Sequence, residues 1–325
     1  NMPFSIGASN AFQKVMDLVR RVPRSADTPV LIEGQTGTGK ELLASAIHYH
    51  SPLFRGPFVA VNCAAIPREL VESELFGYRG GAFSGAREAG KSGLVESAHK
   101  GTLFLDEIGD LCPEAQAKLL RFLESGEFYR VGETKPSSVK VRIVSATNHD
   151  LARLMAEGRF REDLFFRLGV IKIQAPSLND RPEDILPLAA YYLDRFNAKF
   201  GTAFQGLSPQ AEQALRRHHW TGNVRELKNL IERGTLTARS TVLTPQDLGL
   251  GREGGNTPLC DPAGWREALP PLPPEGLDLT GTLERIERHF IDQALKRSNA
   301  NESQAARLLK LNHHTFRYRH RKLFR

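Results

Sequence analysis

The chain has 325 residues, 40% of them apolar, which is enough to bury roughly two or three separate cores. This composition excludes disordered and fibrous proteins, and the sequence has no run of about eighteen apolar residues that would cross a membrane. The net charge of +7 comes from residues 281–325, which hold 11 Lys and Arg against 4 Asp and Glu. Basic charge confined to one end favours a nucleic-acid partner there and argues against a membrane partner.

The three cysteines, Cys63, Cys112 and Cys260, lie far apart and form no C-x-x-C pair. This spacing argues against a zinc site and against a disulfide framework. Since no charged and apolar leader opens the sequence, we expect a soluble protein of the reducing cytoplasm.

Apolar residues at helical spacing predict a helix within residues 4–29, and the first chemical signal follows it in the stretch VLIEGQTGTGKE. Its apolar run predicts a buried strand, and the helix-forming run ELLASAIHYH begins after a loop with the spacing G-x-x-x-x-G-K. Glycines let backbone N–H groups surround an anion, and the helix presents its positive end to the same point. Glu41 stands where a Ser or Thr usually contacts magnesium, a difference that bears on the metal and not on the phosphates. We predict a nucleoside triphosphate site at Gly34, Gln35, Thr36, Gly37, Thr38, Gly39, Lys40 and Glu41.

The next elements alternate between strands and helices. A glycine-rich stretch from residue 77 to residue 93 interrupts this alternation and predicts an exposed loop. The alternation is typical of an α/β fold with a doubly wound, largely parallel sheet, in which ligands bind beyond the carboxyl ends of the strands. Strands are predicted at residues 58–61, 102–105, 139–146 and 170–173, and helices at 115–124 and 151–157.

Polar residues stand at these strand ends. Asp106 would bind the magnesium ion that bridges the phosphates, and Glu107 would polarise the attacking water. Asn62 and Asn148 follow two other strands, where they could sense the γ-phosphate or hold Glu107. The alternatives are a solvated strand end for the two carboxylates and plain turn residues for the two asparagines.

The segment RFREDLFFRL contains Arg161 and Arg167, which are either surface arginines or arginine fingers that stabilise charge on a transferring phosphoryl group. Beyond residue 181 the pattern becomes helical and predicts a small helical domain, followed by a proline-rich linker. The helices of this domain are predicted at residues 183–199, 209–218 and 223–236.

The last segment, ESQAARLLKLNHHTFRYRHRKL, has the period of a helix-turn-helix. Helices are predicted at residues 283–297, 302–309 and 313–323. The alternative is a basic, solvated helix with no nucleic-acid partner. The paired histidines at 218–219 and 313–314 have no accompanying carboxylate or cysteine, so we predict no metal site there. The residues expected to read base edges or hold phosphates are His313, His314, Thr315, Arg317, Tyr318, Arg319, Arg321 and Lys322.

A set of specific motifs carries a resemblance to a known family. They are GQTGTGKE, FVAVNCAAIP, ESELFGYRGGAFSGA, GTLFLDEIGDL, QAKLLRFLE, RIVSATN, FREDLFFRL and GNVRELKNLIER. With them the chain resembles the AAA+ activators of sigma-54 RNA polymerase, the bacterial enhancer-binding proteins, from about Ile6 to Leu323. The end resembles a Fis-type DNA-binding module, although Lys310 stands where the turn usually has a glycine. The resemblance implies an AAA+ P-loop ATPase subdomain at residues 4–176, a helical lid at 177–250, a linker at 251–281 and a Fis-type helix-turn-helix at 282–325.

The resemblance also implies roles for residues of one subunit. Lys40 is expected to be the Walker A lysine, and Asp106 and Glu107 the Walker B pair. Asn62 is expected to restrain Glu107 until the γ-phosphate is bound, and Asn148 to be a sensor. The implied cofactors are ATP and Mg²⁺.

Other implied roles involve partners. Arg225 is expected to contact the nucleotide from the lid. Arg161 and Arg167 are expected to reach into the neighbouring subunit, which requires a ring. This ring is expected to be a hexamer, with a dimer as the inactive form. The implied partners are the sigma-54 RNA polymerase holoenzyme and double-stranded enhancer DNA. Ser84 replaces the usual threonine in the hexapeptide expected to contact sigma-54, which consists of Gly81, Ala82, Phe83, Ser84, Gly85 and Ala86.

We therefore expect an ATP-hydrolysing activator that remodels sigma-54 closed complexes. Two alternatives remain open: a DNA-binding AAA+ regulator that does not engage sigma-54, and an AAA+ remodeller of another substrate. Capture of sigma-54 by the ring would favour the sigma-54 activator over the DNA-binding regulator that does not engage sigma-54. The Fis-like tail argues against a remodeller of another substrate.

Overall fold

The computed structural model describes residues 7–22, 27–82, 88–238, 240–250, 278–298 and 301–323. The chain divides into two compact units, Asn1–Gly254 and Gly255–Arg325, which are described separately. Within the described ranges, none of the helices combines the length and the apolar character of a membrane-spanning segment.

The first unit contains the predicted parallel sheet. Its strands are all parallel, so their carboxyl ends share one edge, and they lie in the order β2 (Phe58–Asn62), β5 (Thr102–Asp106), β8 (Arg142–Thr147), β1 (Val30–Glu33) and β9 (Ile171–Gln174). The α/β prediction is confirmed. The strands of the described residues are β1 (Val30–Glu33), β2 (Phe58–Asn62), β3 (Gly77–Tyr78), β4 (Lys91–Ser92), β5 (Thr102–Asp106), β6 (Glu127–Phe128), β7 (Ser137–Ser138), β8 (Arg142–Thr147), β9 (Ile171–Gln174), β10 (Gly206–Leu207) and β11 (Val242–Leu243).

Helices cover both faces of this sheet because successive residues of a strand point to opposite sides. Leu31 packs with Leu103 and Leu105 on one face, whereas Val30 and Ile32 pack on the other. The described helices are α1 (Asn10–Arg21), α2 (Lys40–Tyr49), α3 (Arg68–Phe76), α4 (Leu94–Ser97), α5 (Pro113–Ser125), α6 (Leu151–Ala156), α7 (Glu162–Leu168), α8 (Ile185–Phe200), α9 (Pro209–Arg217), α10 (Asn223–Thr237), α11 (Leu279–Arg297), α12 (Glu302–Leu308) and α13 (His313–Leu323).

Three sequence predictions need correction. The fourth strand of the sheet begins at Arg142 and not at residue 139, because Ser137–Ser138 pairs with Glu127–Phe128 in a separate hairpin. Helix α3 has no counterpart in the prediction. Helix α11 begins at Leu279, inside the range assigned to the linker, and residues 251–277 of that range lie outside the described residues.

The lid helices α8, α9 and α10 pack around a core of their own that includes the fully buried Trp220. Asp184, which is also fully buried, ties the start of the lid to the segment before α1. Its carboxylate accepts hydrogen bonds from the backbone N–H groups of Ala8 and Ser9 and from the Ser9 hydroxyl, at 2.7–2.9 Å. The three bonds pair a carboxylate that would otherwise be costly to bury.

The second unit is a three-helix module built on Ile291, Ala294, Ala305, Ala306 and Phe316. The turn after α12 contains Lys310, whose φ of 52° lies in the left-handed region. The N–H of Lys310 donates to the carbonyl of Arg307, and that of Leu311 donates to the carbonyl of Ala306. These bonds form the Schellman motif that usually places a glycine at this position. Lysine therefore adopts the turn, at a cost of about 1 kcal/mol relative to the right-handed region.

Candidate functional site

The phosphate loop leaves the sheet edge at the carboxyl end of β1. Gly37 and Gly39 have φ values of 80° and 97°, which side chains with a Cβ rarely adopt. A Cβ on Gly34 would lie 2.9 Å from the Cβ of Ala175, so the loop passes closely against the end of β9. Helix α2 begins at Lys40 and points its N-terminus into the loop, as the sequence predicts.

Lys40 is buried, with its side chain only 7% exposed. Its ammonium donates to the carbonyl of Gly34 at 2.9 Å and lies 3.9 Å from a carboxylate oxygen of Glu107. Burial lowers the pKa of Lys40 from its ordinary value, while the charges of Glu107 and Asp106 oppose this and Arg225 adds to it. The site therefore holds a partly desolvated cation that a phosphate can pair with.

The two carboxylates stand at the end of β5, next to the phosphate loop. Glu107 has a φ of 52° and is thereby turned out of the strand. Its N–H donates to Asp106 at 3.1 Å, and its carboxylate accepts from the backbone N–H of Asn148 at 3.1 Å. A strained residue between the phosphate loop and the neighbouring strand is typical of a functional position.

The two predicted asparagines have different contacts. The amide of Asn148 donates to the hydroxyl of Thr36 in the phosphate loop at 2.9 Å. Asn62 stands opposite Asp106 in the strand register, but its side-chain oxygen accepts from the N–H of Ala64 at 2.9 Å. In this structure Asn62 therefore caps a turn after β2, and the contact expected with Glu107 is not formed among the described bonds.

The phosphate loop, the carboxylates and the lid enclose one cleft of about 280 Å³. The lid contributes Arg225, as the resemblance implies, together with Tyr192 and Lys228, which sequence reasoning missed. Lys228 lies three residues after Arg225, so both face the same side of α10. The three-residue spacing from Arg225 is the sequence signal that could have identified Lys228. The loop and strand residues lining the cleft are Thr36, Gly37, Gly39, Lys40, Glu41, Leu42, Asp106 and Glu107.

Asn223, also missed by sequence reasoning, joins the lid to the phosphate loop. It is fully buried, and its amide nitrogen donates to the side-chain oxygen of Gln35 at 3.1 Å and to the carbonyl of Thr36 at 3.0 Å. Thr38 lies inside the loop, where its hydroxyl donates to the carbonyl of Gln35 at 2.8 Å.

Arg161 and Arg167 do not line this cleft. Arg161 is 48% exposed and forms a bidentate pair with Asp163, while Arg167 donates to the carbonyl of Leu123. Within one subunit both arginines are therefore held away from the phosphate loop.

Four residues of the predicted sigma-54 contact, Phe83, Ser84, Gly85 and Ala86, lie outside the described residues. The described base of this loop is a short hairpin in which β3 pairs with β4. Gly81 has a φ of 75° and the N–H of Ala82 donates to the carbonyl of Arg79, so the chain turns sharply at the start of the loop.

Helix α13 presents most of its predicted DNA-binding residues to solvent. His313 and Thr315 are half-buried, whereas the remainder are exposed. Arg319 is paired with Glu287 at 2.8 Å, and Arg317 lies 3.3 Å from Glu302. The residues lining a shared groove are His314, Arg317, Tyr318, Arg321 and Lys322.

The cleft fits a magnesium ion held in part by the nucleotide. Among the residues described, no group of three or more His, Cys, Asp or Glu could hold a metal alone. Magnesium is usually bound by one or two carboxylates with phosphates and water, and Asp106 brings a carboxylate into the cleft beside Lys40. Cys63 offers no thiolate there, because burial raises its pKa to about 12.

A parallel sheet with a phosphate loop, a pair of carboxylates and a helical lid defines an AAA+ nucleotide-binding module. The chain matches the sigma-54 interaction domain over residues 5–174, an AAA+ ATPase lid domain over 179–255 and the Fis family of bacterial regulatory proteins over 282–323. It therefore belongs to the sigma-54-dependent transcriptional activators.

Similar proteins match almost the whole of this chain. The DNA-binding transcriptional regulator NtrC of Proteus hauseri is 42% identical over 315 residues, which cover 94% of this chain and 66% of NtrC. The phenol regulator MopR of Acinetobacter guillouiae is 41% identical over 325 residues, covering 98% of this chain and 56% of MopR. The chain thus spans about half to two thirds of the length of its curated relatives.

Among solved structures, NtrX of Brucella abortus in complex with ADP superposes with a TM-score of 0.72 at 34% identity. The match covers 98% of this chain and 68% of the NtrX chain. NtrX in complex with ATP gives a TM-score of 0.71. The resemblance to this family and the predicted fold are confirmed.

Proposed function

We propose that this chain hydrolyses ATP between the subunits of a ring and uses the resulting motion to open sigma-54 promoter complexes in the cytoplasm. The observation that carries the proposal is the convergence of Lys40, Asp106, Glu107 and Arg225 on one cleft under the lid. Two cations face the place where triphosphate charge would lie, and two carboxylates face the place where metal and water would lie. This division of charge suits phosphoryl transfer.

Within a subunit, phosphate entering the cleft would take the place of the Gly34 carbonyl and Glu107 as the partner of Lys40. The backbone N–H groups of the loop and the N-terminus of α2 add further positive potential. Asp106 would hold Mg²⁺, which neutralises charge on the phosphate oxygens when bound. Glu107 would orient the attacking water and accept its proton, and Asn148 would report on the phosphates through Thr36.

The remaining predicted residues act through movement or through a neighbour. Asn62 is proposed to restrain Glu107, which requires its amide to leave the N–H of Ala64. Arg161 and Arg167, exposed and outside the cleft of their own subunit, are proposed to stabilise the transferring phosphoryl group in the next one. This assignment makes the ring, expected to be a hexamer, part of the active site.

The loop from Gly81 to Ala86 is proposed to contact sigma-54, with Phe83 as its apolar anchor, while α13 binds enhancer DNA. The basic groove of Arg317, Tyr318 and Arg321 supports the second assignment. In this proposal the loop transmits the ATP-driven motion to sigma-54, and the terminal unit attaches the protein to enhancer DNA.

The test is capture of sigma-54 by the chain in the presence of a transition-state analogue of phosphoryl transfer. We expect capture that depends on the analogue and is lost in Phe83→Ala, while ATP hydrolysis persists. Phe54, which is 49% exposed elsewhere on the first unit, provides the matched control, because Phe54→Ala should retain capture. ATP hydrolysis without any capture by the unaltered chain would favour the DNA-binding regulator that does not engage sigma-54.

A further inference from the structure

The lid touches the phosphate loop through backbone contacts that leave no space for larger residues. A Cβ on Gly37 would lie 2.2 Å from the carbonyl oxygen of Gly222 and 3.0 Å from the Cβ of Arg225. The phosphate loop therefore packs directly on the start of α10, the helix that carries Arg225 and Lys228. Any change in this packing moves both lid cations relative to the loop.

Asn223 is the first residue of α10 and the polar centre of this junction. Its amide oxygen accepts from the N–H of Leu178 at 2.7 Å, at the start of the lid. A backbone N–H can only donate, so the amide oxygen must face Leu178 and the amide nitrogen must face the phosphate loop. There the nitrogen meets the carbonyl of Thr36 and the side-chain oxygen of Gln35, which are both acceptors. From the first residue of α10, one side chain thus bonds both the start of the lid and the phosphate loop.

The backbone of Asn223 adds a second, independent observation. Its φ of 51° lies in the left-handed region, which asparagine tolerates better than most residues but which still carries a cost. Glycine would meet that backbone requirement with less strain. The three hydrogen bonds of the side chain, one buried and two part-buried, provide a physical reason for asparagine, because only an amide supplies an acceptor and donors at this one point.

We propose that Asn223 is a positioning residue that fastens the start of α10 to the phosphate loop and so holds Arg225 over the phosphate site. The inference rests on the proposed nucleotide function of that site. Asn223 does not line the cleft itself, whereas Arg225, two residues further on, does. The loss of Asn223 should therefore weaken the grip on the outer phosphates more than the grip on the rest of the nucleotide.

The test compares binding of a non-hydrolysable ATP analogue with binding of ADP to the full chain carrying Asn223→Gly. This variant introduces no charge and accommodates the positive φ, so neither repulsion nor backbone strain can cause the effect. We expect the affinity for the ATP analogue to fall about tenfold and that for ADP to fall about threefold or less, since the buried N–H of Leu178 is left unpaired, two bonds to the phosphate loop are lost and Arg225 is released.

Asn179 provides the matched control. Its amide bonds both the N–H and the carbonyl of Trp220, so it joins the same two segments of the lid without touching the phosphate loop. Asn179→Ala should lower the midpoint of thermal unfolding without changing the ratio of the two affinities. If the ratio of the affinities for the ATP analogue and ADP changed equally in both variants, Asn223 would only stabilise the lid, and the proposal would be overturned.

A double-mutant cycle with Arg225→Ala tests the route of the effect. If Asn223 acts by holding Arg225, then Asn223→Gly should change the affinity ratio by less than about twofold once Arg225 is absent. Independent effects of the two substitutions on the ratio would contradict this route. Because the measurement is binding, it stays valid if the unaltered chain fails to hydrolyse ATP, whereas an unaltered chain that binds neither nucleotide would overturn the proposed function as well.

Discussion

The two regions proposed to act, the sheet edge of the first unit and helix α13 of the second, place their functional groups in opposite ways. At the sheet edge Lys40 is buried, and backbone register sets the positions of Asp106 and Glu107. On α13 the basic residues are exposed and are placed only by helical spacing around the buried Phe316. Bond-making chemistry needs fixed geometry and a desolvated site, whereas phosphate contacts along DNA need reach and charge. Substitutions in the two regions should therefore differ in size and in kind.

The largest effect is expected for Glu107→Gln. The amide keeps the size of the side chain but cannot accept a proton from water, so kcat should fall at least about a hundredfold while ATP affinity changes less than about threefold. Steady-state hydrolysis and equilibrium binding separate the two quantities. Glu212→Gln, an exposed change in lid helix α9, should leave both unaltered. If kcat were retained in Glu107→Gln, the catalytic site would be wrongly assigned.

A smaller effect, on DNA binding, is expected for substitutions in α13, and two of its arginines should differ in the size of this effect. Arg321 lines the exposed groove, whereas Arg319 is already paired with Glu287. Arg321→Ala should weaken DNA binding about tenfold and make it less dependent on salt, because one phosphate contact is lost. Arg319→Ala should weaken it less than about threefold. Titrations of double-stranded DNA at several salt concentrations measure both, and ATP hydrolysis should stay constant. Equal losses would mean that the Glu287 pair does not persist on DNA.

The smallest effect concerns a buried group at the opposite end of the sheet. Burial, and then the charge of Arg142, lowers the pKa of His48 below its ordinary 6.5. The unfolded chain then binds a proton at a higher pH than the folded chain, so the free energy of unfolding should decrease as pH falls from 6.5 through the lowered pKa. His48→Gln, at a position bonded to Thr102, should remove this part of the pH dependence. Denaturant titrations between pH 7 and pH 5 measure the free energy of unfolding of both proteins. The same dependence of this free energy on pH in both would contradict a lowered pKa of His48.

The sequence predicts the parts of the site that local pattern determines. Lys40, Asp106 and Glu107 follow apolar runs that end at the same sheet edge, so strand periodicity is sufficient to bring them together. The sequence does not predict Asn223 as a junction residue, because its partners in the phosphate loop are nearly two hundred positions away and depend on how the lid packs. The helix at Arg68–Phe76 is missed for a related reason, since tertiary contacts of Val71, Leu75 and Phe76 supply the burial that stabilises it.

In the terminal unit, too, local pattern predicts the helices, whereas contacts between helices could not be predicted. The spacing of Ala305, Ala306 and Phe316 predicts its helices, and the observed bounds of α13 match the prediction. The absence of glycine at Lys310 does not change the turn, because two capping hydrogen bonds maintain it. Which arginines are free to meet DNA could not be predicted, since the pair between Arg319 and Glu287 joins two helices.

A catalytic site shared between subunits can be tested by mixing two inactive variants of the chain. The Glu107→Gln variant retains Arg161 and Arg167 but lacks the proposed base. The Arg161→Ala variant retains the base but lacks one of these two arginines. If Arg161 acts in the neighbouring subunit, the mixture should recover ATP hydrolysis that neither variant shows alone, because some interfaces combine an intact base with an intact arginine. Recovery should increase with total protein concentration. A mixture as inactive as its components, at concentrations where the unaltered chain is fully active, would contradict the shared site.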